Sequence, residues 1–422
     1  MDFTHLHVAS GFSMRYGTAM PEDLVARAAE LGQTSLALTD RDGLYGAVRF
    51  TQAARTAGLV AVLGVDLALE VAVPRGGRTP VRGGAIVDPR RPRVTVLARG
   101  QGAGVPKGTG WAALCRLVTA THLRGERGVP VTSSDLVAAW AHTEDPTAPS
   151  RLLTLLGPDS DVGRAVLARH DTHARALLSG WRARLPADGL AVEIVLHGGP
   201  EGTPGCRSHA ARMLALADAV GVPAVLSAAV RHLTASTVRT VDVLDAARRL
   251  VVLDSRHLDR VTDAGHLADT ATMHARARAV SPDRARADRL LAMTALLGAE
   301  CAQDPARDIG IGAVHLPEAA VLGIPEGTHP QAVLTQRCRA EISRCYPGAD
   351  ESTRHTVLRR LEDELAVIEA LGYPTYFLTV AEVTDLIRAR GIRVAARGSG
   401  AGSLVNHLLG ISGGDPLRYG LL

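Results

Sequence analysis

The stretch TSLALTDRDGLYGAVRFTQAARTAGLVAVLGVDLAL, residues 34–69, reads as strand, helix, strand. TSLALT (34–39) and VAVLGVDLAL (60–69) are apolar on both faces, the pattern of strands buried between two layers. Between them GAVRFTQAARTAG is a helix that stops at a glycine. The alternation continues on both sides. HLHVA (5–9), RVTVLA (93–98), RLLTLL (151–156), AVEIVL (191–196) and AVLSAAV (224–230) are further strand candidates. PEDLVARAAELG carries Pro21 at its first helical position and Gly32 at its stop, and GCRSHAARMLALADAVG leads into the last strand. Seven strand–helix alternations predict an α/β domain over residues 1–240 with a parallel sheet, open or closed into a barrel. Segments 74–92, 100–110 and 142–150 read as loops.

Residues 241–285 read as a charged helical connector. Beyond them strand alternation ends. HPQAVLTQRCRAEISRCYP, TRHTVLRRLEDELAVIEALG and YFLTVAEVTDLIRARG are amphipathic helices, so residues 286–422 form a second, mostly helical α+β domain.

The chain has 422 residues, 46% hydrophobic and 21% charged, enough for ordinary cores built mainly from Ala, Val and Leu, since aromatics are 3%. The net charge of +4 is a mild excess and a weak pointer to nucleic acid. Lys107 is the only lysine. The five cysteines are an odd number without a CxxC, which argues against a disulfide framework or thiolate zinc site and fits a reducing cytoplasm. The start MDFTHLHVASGF lacks the features of a signal peptide, and no apolar run reaches the roughly 18 residues of a membrane helix.

Near the end stands IRVAARGSGAGSLVNHLLG (392–410). A strand, a Gly/Ser-rich loop and a helix are an arrangement that binds phosphate. Glycines let the backbone approach a ligand, amides face an anion, and Arg397 adds a fixed positive charge. The spacing is neither GxxxxGK[ST] nor GxGxxG, so on spacing alone a structural turn is an equal reading.

RGSGAGSLVNHLLGISGGDPLRYGLL closely resembles the palm motif of the C-family bacterial DNA polymerases, the DNA polymerase III alpha-subunit family. LEDELAVIEALGYPTYFLTVAEV (361–383) and HLHVASGFSM, ALTDRDGLYGAVRF and VLGVDL resemble the same family in the right order. The form AARGSGAGS is most similar to the error-prone, damage-tolerance branch. The resemblance implies a distorted seven-stranded barrel, the polymerase-and-histidinol-phosphatase (PHP) domain, followed by the start of the polymerase palm.

It also implies that Arg397, Gly398, Ser399, Gly400, Gly402 and Ser403 contact the triphosphate of an incoming nucleotide. The chemistry implied is two-metal phosphoryl transfer with Mg2+. The family's metal-binding aspartates lie beyond Leu422. Asp415 is not one of them, and Glu362, Asp363, Glu364 and Glu369 read as a solvated helix face pairing with Arg359 and Arg360. By itself the chain is therefore expected not to polymerise. Implied partners are primer–template DNA and deoxynucleotides, with a sliding clamp and damage-tolerance proteins as further ones, and no membrane.

In active PHP domains, imidazoles and carboxylates at strand ends hold zinc or manganese for phosphoesterase or 3′–5′ exonuclease chemistry. Here the first motif keeps His7 but has Ala9. Tyr16 stands at an aspartate position, and Arg41, Arg93 and Arg231 stand at histidine positions. Asp66 survives; His232, one place off, is expected on the opposite strand face. Three guanidiniums repel dications, so the expectation is a metal-free barrel with His7 and Asp66 as vestiges, no cofactor held by this chain, and a bracing role. His5, His7, Asp40 and Asp66 remain as a candidate set for one weak ion. The alternatives are a metal-dependent phosphoesterase or exonuclease, and a non-catalytic scaffold.

Overall fold

A computed structural model describes residues 2–70, 90–124, 127–145, 147–260 and 262–421. It divides into two compact units, residues 1–312 and 313–422.

The first unit is built on β1 (Ser35–Arg41), β2 (Val60–Ala68), β3 (Arg93–Ala98), β4 (Leu152–Leu156), β5 (Leu190–Val195) and β6 (Ala224–Ser227), paired in that order. The segment expected as a first strand, 5–9, forms bridges instead of a regular strand. His5 pairs with Leu36 and Val8 with Val230, both in parallel register. The Ala37 amide donates to the His5 carbonyl (3.0 Å), and the Val230 amide donates to the His7 carbonyl (2.9 Å). This segment therefore lies between β1 and the chain just past β6 and closes the sheet into a barrel. The short β7 (Ala302–Gln303), unread in the sequence, adds to β2.

The sheet is mixed, not parallel. β1–β2, β4–β5 and β5–β6 are parallel, whereas β3 runs antiparallel to both neighbours. Parallel neighbours need one crossover element; antiparallel neighbours need the chain to return to the end it left. Between β3 and β4, two helices that pack on one another, Thr109–Leu123 and Ser134–Ala141, take it out and back.

The helices of this unit are α1 (Pro21–Glu30), α2 (Ala47–Thr56), α3 (Thr109–Leu123), α4 (Ser134–Ala141), α5 (Asp161–Leu167), α6 (Asp171–Arg184), α7 (Arg207–Val220), α8 (Val238–Arg249), α9 (Thr270–Val280) and α10 (Arg284–Glu300). Of the expected loops, 74–89 lies outside the described residues, and 100–110 holds a short 3-10 turn and the start of α3. Alternation along the strands sorts side chains between two faces. Leu36, Leu38, Leu63, Val65, Val94 and Val96 face outward under the helices. Ala37, Val62, Leu97, Leu155, Ala191 and Val225 share a second cluster, joined by Leu297 and Cys301 at the end of α10. In this lining Gly64 leaves no room for a Cβ, which would stand 2.5 Å from Leu97 Cδ2 and 2.7 Å from the Val96 carbonyl oxygen. Further along the same faces, Arg41, Asp66, Thr95 and Glu193 make the mouth polar.

The change of character read near 285 is not where this unit ends. Helix α10 packs on β6, and β7 pairs with β2, so 286–312 belong with the barrel. Among the described residues, the expected connector is helical at α8, at α9, at a 3-10 turn over Ser255–His257 and at the start of α10. Around Gly265 it bonds to the Arg231 amide (2.8 Å).

The second unit holds α11 (Pro330–Cys345), α12 (Glu351–Ala370), α13 (Pro374–Ala389) and α14 (Leu404–Leu408). Helical spacing puts Leu334, Cys338 and Ile342 on one face of α11, and Val357, Leu361 and Leu365 on one face of α12. Leu404, Val405 and Leu408 close this core. The segment 392–396, read as a strand entering the loop, has no ladder partner among the described residues. Nor, among the described residues, is any helix long and apolar enough to cross a membrane, and all five cysteines are free thiols.

Candidate functional site

Two places carry the chemistry read in the sequence. The first is a cavity of about 450 Å³ at the barrel mouth, whose lining brings together His7, Tyr16, Arg41, Asp66, Arg93 and Arg231. These are the residues that the resemblance implied for the PHP ligand positions, and they form a network of ion pairs. Asp66 Oδ2 accepts from Arg93 Nε (2.8 Å) and Arg41 Nε (3.2 Å). Burial raises the carboxyl's pKa, but Arg93 and Arg41 outweigh it and hold Asp66 below the usual range. Arg93 also reaches Asp42 (2.8 Å). The Tyr16 ring lies between two guanidiniums, with Arg41 3.3 Å and Arg231 3.8 Å from its centroid. His7 Nδ1 is 2.9 Å from Glu193 Oε1. Burial lowers the His7 pKa, yet the Glu193 carboxylate reverses this and the net shift is upward.

The counter-charges come largely from the segment read as a connector. Arg231 pairs with Asp245 (2.6 Å), which is fully buried and also pairs with Arg248 (3.1 Å). Asp259 is clasped by Arg248 and Arg249, and Asp242 by Arg260. Residue type alone did not single these aspartates out. Their signal was the run of alternating charge in 239–260, which fits a solvated face equally well.

The candidate ion set does not assemble. Asp40 accepts from the Ser10 amide (2.7 Å), the Ser10 hydroxyl and the Ser13 hydroxyl (2.6 Å). His5 Nε2 is 2.9 Å from the Ala268 carbonyl, and burial drives its pKa down to about 4. Asp66 and Glu193 are already paired. No group of three His, Cys, Asp or Glu side chains suited to a metal occurs among the described residues. A zinc or manganese cluster does not fit a mouth holding Arg41, Arg93 and Arg231, and no hydrolytic step follows from it. His232 departs from its expected direction. β6 ends at Ser227 and Ala229 has φ of 46°, so alternation is broken and both Arg231 and His232 line the mouth.

The second place is the glycine loop. Gly398 has φ of 76°, a conformation open to glycine, and Ser399–Gly402 form a 3-10 turn before α14. Arg397 is exposed and, among the described residues, has no ion-pair partner. No hydrogen bond is found for the Gly398, Ser399 and Gly400 amides among the described residues. The other half of the expected cradle is filled from within. Glu364 on α12 accepts from the Leu404 amide (2.9 Å), the Val405 amide (3.0 Å) and the Ser403 hydroxyl (2.8 Å). Ser403 Oγ in turn caps the helix by accepting from the Asn406 amide (3.1 Å). The Gly402 carbonyl accepts from Arg360 Nη2 (2.8 Å). Glu364, read as part of a solvated face, does pair with Arg360 (3.1 Å), four residues earlier, but it is chiefly the anion at the start of α14. Sequence spacing gave the pair and not the cap, which spans some forty residues. Asp415 receives the Tyr346 hydroxyl (2.8 Å) and the Leu417 amide (2.9 Å), a structural role.

Comparison with known proteins gives a family match in each of the two units. Residues 5–197 match the PHP domain family, and residues 332–422 match the bacterial DNA polymerase III alpha NTPase domain. The error-prone DNA polymerase of Nocardia farcinica (strain IFM 10152) is 33% identical over 461 residues, covering 100% of this chain and 37% of that protein. That of Symbiobacterium thermophilum is 33% identical over 435 residues, covering 100% and 35%, and that of Mycolicibacterium paratuberculosis is 32% identical over 425 residues, covering 100% and 35%. The chain thus spans just over a third of the length of the curated relatives it matches. With a PHP barrel followed by the beginning of the alpha NTPase domain, the chain belongs to the bacterial DNA polymerase III alpha family, as its N-terminal part.

Proposed function

We propose that this chain supplies the bracing barrel and the triphosphate-gripping loop of a DNA-directed DNA polymerase that works in error-prone, damage-tolerant synthesis in the cytoplasm. The observation that supports it is the exposed Arg397 beside the unbonded amides of Gly398, Ser399 and Gly400, in a chain similar over its whole length to error-prone polymerases. The Arg397 guanidinium pairs with phosphate oxygens in a fork, and the three amides donate to the same oxygens. Ser403 and Gly402 act differently: bonded to Glu364 and Arg360, they hold the loop in shape. Mg2+ supplies charge neutralisation to such a reaction when bound. Among the described residues of the loop region, Glu364 and Asp415 are both engaged by hydrogen bonds. The partners of the whole polymerase are primer–template DNA and deoxynucleoside triphosphates, together with a sliding clamp and damage-tolerance proteins.

The test is titration of dATP into the purified chain. Arg397→Ala is expected to weaken binding roughly tenfold, the worth of one charge-assisted contact. Unchanged affinity would remove the loop's role.

A further inference from the structure

The barrel mouth holds a cavity lined by guanidiniums, and its charges do not all pair. Among the described residues Arg91 and Arg164 have no carboxylate within ion-pair distance, although both line the cavity. Arg164 spends its two terminal nitrogens on the backbone carbonyls of Arg90 (2.7 Å) and Arg91 (3.0 Å), which fixes the backbone that carries Arg91 and leaves its charge met only from beyond ion-pair distance, by Asp159 and Asp259. Arg91 Nε is buried without a partner. Arg231, 7% exposed, likewise keeps Nε unpartnered although its other nitrogens hold Asp245. The carboxylates of the cavity are otherwise spent: Asp66 on two arginines, Glu193 on His7, and Asp259 on Arg248 and Arg249. Asp159, at the exposed rim, is the exception.

Buried donors without acceptors are costly, and a guanidinium is the side chain best shaped to meet a phosphoryl group. A cavity of about 450 Å³ is also of nucleotide size. From this geometry we infer that the barrel mouth is an oxyanion site for a terminal phosphate monoester, gripped by Arg91, Arg164 and Arg231 and not hydrolysed. The phosphate comes from a free nucleotide or from a phosphorylated DNA end. This site is separate from the glycine loop and does not depend on the reading of that loop.

The experiment titrates inorganic phosphate, dAMP, and a short oligodeoxynucleotide with and without a 5′-phosphate into the purified chain at low salt. Saturable binding of phosphate or dAMP at one site per chain is expected. Arg91→Glu, which leaves the carbonyl contacts of Arg164 untouched, should weaken it at least tenfold, and Arg91→Ala with Arg164→Ala should do the same. Thermal melting without ligand checks that each variant is folded. Preference for dAMP identifies a free nucleotide as the source, and preference for the phosphorylated over the hydroxyl oligonucleotide identifies a DNA end. Absence of phosphate and dAMP binding overturns the inference. So does a folded Arg91→Glu chain that binds as tightly as the parent, or binding that vanishes with Arg397→Ala and survives Arg91→Glu.

Discussion

The barrel mouth and the glycine loop both gather positive groups where an anion belongs, but they differ in where the balancing negative charge comes from. At the mouth, guanidiniums line the cavity, and carboxylates from α8 and the chain after it meet them. At the loop, one carboxylate, Glu364, neutralises the start of α14 and stops short of the glycines. The first region is largely a self-satisfied salt network; the second is a backbone surface with its donors still exposed. What separates the two places is therefore the supply of counter-charges rather than the number of cationic groups.

The contrast is open to attack where it should be strongest. Asp245→Ala strips a fully buried carboxylate from Arg231 and Arg248, and the stranded charges should cost about 3–5 kcal/mol in urea unfolding. A loss below about 1 kcal/mol would mean that the network is not what holds the mouth.

Next in size is a pH effect. His5 is fully buried, and its pKa falls from 6.5 to about 4 on folding. Its neutral form therefore contributes stability that is present above about pH 6.5 and lost as pH falls toward 4, to about 3 kcal/mol. His7, shifted upward, works in the opposite sense: its pairing with Glu193 stabilises below about pH 6.5 and is lost as pH rises past its folded value. Urea titrations of His5→Asn and His7→Gln from pH 4 to 8 should flatten opposite ends of the stability profile.

At the loop the effects are smaller. Glu364→Gln keeps the shape and removes the charge, and should cost about 1–2 kcal/mol in the second unit's unfolding. Gly398→Ala, at φ of 76°, should cost about 1 kcal/mol, read from the same denaturation curves. If Glu364→Gln cost as much as Asp245→Ala, the loop would be a salt network too and the distinction would collapse.

Much of this was legible because it is local. The strands showed as apolar runs, α1 and α7 showed their stops at Gly32 and Gly221, and the altered positions at residues 16, 41, 93 and 231 did fall together. What was not legible depends on partners remote in sequence. Nothing within RVTVLA says that it runs antiparallel, because direction is set by how the flanking segments return. Nothing in LEDEL says that Glu364 faces an amide pair forty or so residues on. His232 failed for a different reason: the alternation rule assumes a strand that has already ended at Ser227.

The N-terminal segment that seals the sheet has a consequence for how the chain is made. Residues 5–9 leave the ribosome more than two hundred residues before their partner at Val230. Until then an edge of the sheet lies open to chance pairing with other chains. The seam can form only after all of β1–β6 have emerged, so its closure waits on the longest loop within the barrel wall.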